Sequence, residues 1–159
     1  MLPMHLMDFI RPEAVLPNLE ADTARGAVEE MVAALIKAKV IPASERRRAV
    51  EAIMRREKKG TTGFGNGVAI PHAKQDGIDK IVGAVGRSAA GIDFAALDGQ
   101  PVHLFFLLLS GADKPEEHLK AMEHIFRSIK NDNLRRFMCQ ATTREELLEV
   151  LREADEELP

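Results

Sequence analysis

Apolar residues recur at helical spacing near the start of the chain, gather into short unbroken runs in its middle third, and return to helical spacing at the end. After Asp22 or Thr23, the residues Val28, Met31, Val32, Leu35 and Ile36 mark the inner stripe of a first helix. A second begins with Ser44 as its N-cap, carries Val50, Ile53 and Met54 inward, and stops at Gly60. Its outer face holds Arg46, Arg47 and Arg48, then Arg55, Arg56, Lys58 and Lys59. In the middle third, VAI at 68–70, IVGAV at 81–85 and VHLFFLLL at 102–109 are bounded by Gly, Asp and Pro and read as strands, the last covered on both faces. Asp98-Gly99 supplies a turn before that strand.

Pro115 suits a first helical turn, and Leu119, Met122, Phe126 and Ile129 continue a stripe from it. Asn131 or Asp132 caps a short helix with Leu134, Phe137 and Met138. Thr142 or Thr143, followed three residues later by Glu145 or Glu146, forms a capping box before Leu147, Leu148 and Leu151. No repeat, low-complexity tract or linker interrupts the chain, so residues 1–159 read as one domain. Helices on both sides of a central strand region predict an α+β protein with three α/β/α layers.

Composition narrows the function. With 45% hydrophobic and 30% charged residues, the chain has the balance of a soluble globular protein. Seven Phe and no Trp or Tyr leave little for stacking on single-stranded nucleic acid, and a net charge of −3 argues against a phosphate-backbone binder. A single Cys139 excludes an internal disulfide and fits a reducing compartment. The opening MLPMHLMDFIRPE lacks a charged leader and is interrupted by Asp8, a poor signal peptide. LFFLLL at 104–109 falls far short of the roughly 20 apolar residues of a membrane helix, so direct membrane insertion is not expected and the expected location is the cytoplasm.

Chemistry concentrates in GTTGFGNGVAIPHAK, residues 60–74. Four glycines and an asparagine abandon any helix there, and Pro71 stiffens the backbone beside His72. Nucleotide binding fails in detail: three residues after Gly65 stands Val68 rather than glycine, the segment follows a helix, and no GxxxxGK[ST] occurs. None of His5, His72, His103, His118 and His124 stands at a usual metal-ligand spacing, so no metal is expected. A neutral imidazole, however, can attack a phosphoryl group. His72 is the residue for that role, with Arg56 as a permanently charged fork and the backbone of Gly65, Asn66 and Gly67 as donors to phosphoryl oxygens. Each feature also has an ordinary reading. A lone histidine near a strand is more often structural, glycine-rich segments are usually turns, and a run of charges is normally a solvated helix face. On that reading His103 is half-buried and hydrogen-bonded, and His118 is a capping or surface residue of the helix that begins near Pro115; His124 lies off the inward face and is given no role.

TTGFGNGVAIPHAK resembles the active-site signature of the type-2 enzyme IIA domain of the bacterial phosphoenolpyruvate-dependent sugar phosphotransferase system, the fructose, mannitol and nitrogen-regulatory group. RREKKG, GIDFAALDGQPVHLFFLLLSG and EEHLKAMEHIFRSIKNDNLRRFM resemble further segments of that family in the same order, from about Leu6 to Leu151. The resemblance implies a mixed parallel and antiparallel sheet flanked by helices on both faces. It implies that His72 accepts phosphate from the histidine-containing phosphocarrier protein and passes it to an enzyme IIB or, in the regulatory branch, controls binding to a target protein. His118 matches an auxiliary histidine beside the first, and Arg56 the arginine that steadies the phosphoryl group. No cofactor is implied, since the energy resides in the donor's N–P bond. Phe64 stands where a smaller aliphatic is common. Asn66 replaces the glutamate usual in the mannitol branch, which points to the fructose or nitrogen-regulatory branch.

Overall fold

The computed structural model describes residues 4–157; the outermost residues of the expected 1–159 domain lie outside them. A short helix α1 (Leu6–Phe9) leads into strand β1 (Ile10–Leu16), followed by helices α2 (Ala24–Lys37) and α3 (Arg46–Lys59). The glycine segment then folds into three short strands, β2 (Gly63–Gly65), β3 (Val68–Ala69) and β4 (His72–Gln75). Two long strands, β5 (Val82–Ile92) and β6 (Val102–Gly111), precede helices α4 (Pro115–Ile129), α5 (Asp132–Gln140) and α6 (Arg144–Glu157).

The strands form one mixed sheet in the order β1-β5-β6-β3-β2, with β4 continuing along β6 beyond β3. β5 and β6 are antiparallel, as are β2 and β3, whereas β1 runs parallel to β5 and both β3 and β4 run parallel to β6. The central strand β6 shows why both faces must be covered. Its successive side chains alternate, with Leu104, Phe106 and Leu108 packing under α1, α4, α5 and α6, and Phe105, Leu107 and Leu109 packing under α2 and α3. The three-layer arrangement read from the hydrophobic pattern is the one observed.

Local chemistry sets the helix ends. Thr23 caps α2, its Oγ1 accepting from Gly26 N at 3.0 Å, and Asn131 caps α5 through Asn133 N and Leu134 N. At α6, Thr143 Oγ1 accepts from Glu146 N at 3.1 Å while the Glu146 carboxylate takes the Thr142 and Thr143 hydroxyls. Those bonds hold the Glu146 carboxyl below the usual carboxylate range. The start of α3 differs from expectation. Ser44 does not cap it but lies inside a 3₁₀ turn, Ala43–Glu45, and no side-chain cap is made.

Three strands escaped the hydrophobic pattern. β1 contains Pro12, which an edge strand tolerates because one side of its ladder is unpaired. β2 and β4 are only three and four residues long and too polar to stand out. Two apolar positions also face outward: Leu119 of α4 is 59% exposed and Phe137 of α5 is 46% exposed. The inward face of α4 instead carries His118 and His124 among Ala121, Met122 and Ile125. His124, expected to have no role, lies buried with its Nε2 3.2 Å from Asp155 Oδ1. Asp155 accepts in turn from Leu6 N and Met7 N, tying α1 to α6. No helix among the described residues is long and apolar enough to cross a membrane.

Candidate functional site

Asn66 and Gly67, with φ of 58° and 75°, make a two-residue turn that only such residues adopt without strain, and it closes the β2–β3 hairpin. From there the chain runs along β6 to His72. His72 lies opposite Leu108, a residue of the α4-side core, so its ring projects toward α4. The ring is half-buried, and its Nδ1 donates to Ile70 O at 2.7 Å. A carbonyl oxygen only accepts, so Nδ1 carries the proton and the lone pair of the neutral ring sits on Nε2.

His118, in the first turn of α4, stacks at a tilt against His72, with ring centroids 5.4 Å apart and planes at 48°. It is 7% exposed, and its Nδ1 meets Ser110 Oγ at 2.6 Å. Both rings favour the neutral state. Burial, chiefly, and then the cations Arg56 and Lys74 push His72 below its ordinary value, although the bond to Ile70 O opposes the shift. Burial first, then His72 and Lys74, takes His118 down to about 4. An unfolded histidine titrates near pH 6.5, so between pH 6.5 and about 4 the unfolded chain binds a proton that the folded one refuses. The stability present above pH 6.5 is therefore lost as the pH falls toward 4. Thermal melts from pH 7 to 4.5 will show a shallower loss for His118→Gln than for wild type. Parallel curves would remove His118 from this linkage.

Arg56, in the last turn of α3, is half-buried and donates from Nη1 to Gly60 O at 2.9 Å, which holds its guanidinium close enough to influence His72. Thus His72, His118 and Arg56 converge, although α3, β4 and α4 are far apart in sequence. Gly65, Asn66 and Gly67 do not join them. Val68 lies opposite Leu104 and His72 opposite Leu108, so the turn is at least four residues, or about 13 Å, away along β6. Its Asn66 N instead donates to Asp98 Oδ2 at 3.2 Å, docking the hairpin on the Asp98-Gly99 turn. The glycines serve hairpin geometry rather than contact with the His72 ring.

Thr62 stands beside Ile70, the residue whose carbonyl holds the His72 ring, since Ile70 N donates to Thr62 O at 3.2 Å, and Thr61 precedes it, its Oγ1 donating to Phe94 O. Sequence reasoning passed over both. Ser110 was missed as well; it lies at the end of β6, eight residues before His118, and the reversal into α4 brings the two together. His103 is bonded as expected, its Nδ1 donating to Ser88 O at 2.9 Å. Among the described residues, no three His, Cys, Asp or Glu side chains gather as metal ligands would.

The family model described as phosphoenolpyruvate-dependent sugar phosphotransferase system, EIIA 2, matches residues 8–154. The chain belongs to this family. It is 40% identical over 131 residues to a nitrogen regulatory protein of Bradyrhizobium diazoefficiens, covering 82% of this chain and 84% of that one. It is also 34% identical over 154 residues to the fructose-specific EIIA component of a phosphotransferase system in Haloferax volcanii, covering 97% and 94%. The crystal structure of nitrogen regulatory protein IIA-Ntr from Neisseria meningitidis superposes with a TM-score of 0.80 at 27% identity, over 91% of this chain and 97% of that one. Domains of the EIIA type are phosphotransferases in general.

Proposed function

We propose that this EIIA chain is a cytoplasmic phosphoryl carrier and that Nε2 of His72 is the atom that carries the group. The reading rests above all on one observation: the bond from His72 Nδ1 to Ile70 O leaves the Nε2 lone pair as the nucleophile of a neutral, half-buried ring. In the forward step, that lone pair attacks phosphorus on the phosphohistidine of the histidine-containing phosphocarrier protein. A new N–P bond forms, and the electrons of the old one return to the donor imidazole. No proton moves at His72, because Nδ1–H stays on Ile70 O throughout. Arg56 offers charge to the phosphoryl oxygens as it passes in line. With Ser110 Oγ–H donating to His118 Nδ1, His118 Nε2–H becomes a further donor. The same chemistry in reverse hands the group to an enzyme IIB.

The test is intact mass after incubation with phosphoenolpyruvate, enzyme I and the phosphocarrier protein. One acid-labile phosphoryl group supports the reading, and none from a competent carrier overturns it. A pH series adds a second measure. Because His72 titrates below its ordinary value, the single-turnover rate from pre-phosphorylated carrier will hold from pH 8 through about 6.5, where a free imidazole is half protonated. It will fall only below that. A rate already halved at pH 6.5 would contradict the burial argument.

The regulatory alternative draws on the 40% identity to a nitrogen regulatory protein. In that reading the phosphate on His72 governs affinity for a target protein instead of feeding sugar uptake. Co-purification from cells carrying wild type or His72→Ala separates the two, since a regulatory partner will change with the substitution.

A further inference from the structure

Glu57 breaks two local rules. It is a carboxylate in the last turn of α3, where the helix dipole favours the cations Arg56, Lys58 and Lys59 beside it. It is also half-buried, and that burial raises its pKa. Something specific must offset both costs, and the structure supplies it in Thr62. Glu57 Oε2 accepts from Thr62 N at 3.0 Å, and Oε1 takes the Thr62 hydroxyl in a second bond. Thr62 itself is fully buried.

From Thr62 the bonds continue without a break to the nucleophile. Thr62 O accepts from Ile70 N at 3.2 Å, and Ile70 O accepts from His72 Nδ1 at 2.7 Å. We infer that Glu57 is a positioning residue for phosphoryl transfer: by gripping Thr62 it fixes the height of Ile70 O, and so the tautomer and aim of the His72 ring. Glu57 and Arg56 divide the task at the end of α3. Arg56 holds Gly60 O and faces the phosphoryl group, while Glu57 holds Thr62 two residues on and faces the backbone behind His72. Strand β3 is only two residues long, so side chains help to hold the 60–62 segment: Thr61 Oγ1 donates to Phe94 O at 2.9 Å on one side, and Glu57 takes Thr62 on the side of Ile70.

This inference rests on the phosphoryl-carrier reading, so its test includes a readout that does not need transfer. In ¹⁵N-labelled protein, the His72 ring of wild type will show a single tautomer, protonated at Nδ1. In Glu57→Ala the two ring nitrogens will move toward averaged shifts, and phosphoryl acceptance will slow about tenfold to a hundredfold, as for a nucleophile misplaced by around an ångström. Glu57→Gln will restore both, because its amide oxygen still accepts from Thr62 N and its NH₂ can donate to Thr62 Oγ1. Thr62→Val, which keeps the N–H and loses only the hydroxyl bond, will fall between and serves if Glu57→Ala does not fold. An unshifted His72 tautomer in folded Glu57→Ala or in Thr62→Val overturns the inference. Averaged tautomers in a protein whose wild type accepts no phosphate would uphold Glu57 as the support of His72 and overturn the carrier reading instead.

Discussion

The His72→Ala chain will stay at its unmodified mass in the presence of phosphoenolpyruvate, enzyme I and the phosphocarrier protein, while wild type gains one phosphoryl group. The prediction is all-or-none because no neighbour can take over. His118 has its Nδ1 bonded to Ser110 and is nearly enclosed, with its ring centroid 5.4 Å from that of His72. The fold should survive, since the loss is one half-buried hydrogen bond, worth about 1 kcal/mol, and a melting curve will confirm it. Phosphorylation of His72→Ala at the wild-type rate would place the nucleophile elsewhere.

Arg56→Ala is expected to cost about two orders of magnitude in the rate of phosphoryl acceptance, the usual effect of removing one preorganised donor from a transferring group. A second readout identifies the cause. The Arg56 cation disfavours a charged His72, so its removal will raise the His72 pKa, measurable by NMR titration of the ring. Arg56→Lys separates charge from geometry. It will keep the depressed pKa yet recover only part of the rate, because an ammonium cannot reproduce the planar fork. If Arg56→Ala transfers at the wild-type rate, the arginine braces Gly60 and nothing more.

Helices α2, α3, α4, α5 and α6 were legible because each repeats apolar residues at helical spacing between recognisable stops, and β6 because eight residues without a charge must be covered on both faces. The errors follow the same logic. Leu119 fits the periodicity of α4, but the face turned inward is the one that brings His118 to His72. Ser44 has the chemistry of a cap, yet the chain after Pro42 takes a 3₁₀ turn that uses it as an interior residue. The GFGNG segment announces positive-φ backbone, and it is delivered as a hairpin turn. What that turn docks against is Asp98, thirty-two residues on, and no local pattern could show it.

His72, His118 and Arg56 could be named from the sequence, since residue types and motif order carry chemical identity. So could the layered fold, since hydrophobic period is a local property that tertiary structure has to respect. The tertiary structure alone decided which atoms the candidate site brings together. The parallel pairing of β4 with the end of β6 sets His72 opposite Leu108, on the face where α4 packs and brings His118 to it. The same register carries Gly65, Asn66 and Gly67 away to the other end of the strand, while the β2–β3 hairpin sets Thr62, gripped by Glu57, beside Ile70. Strand register of this kind is a long-range pairing that the local sequence does not contain.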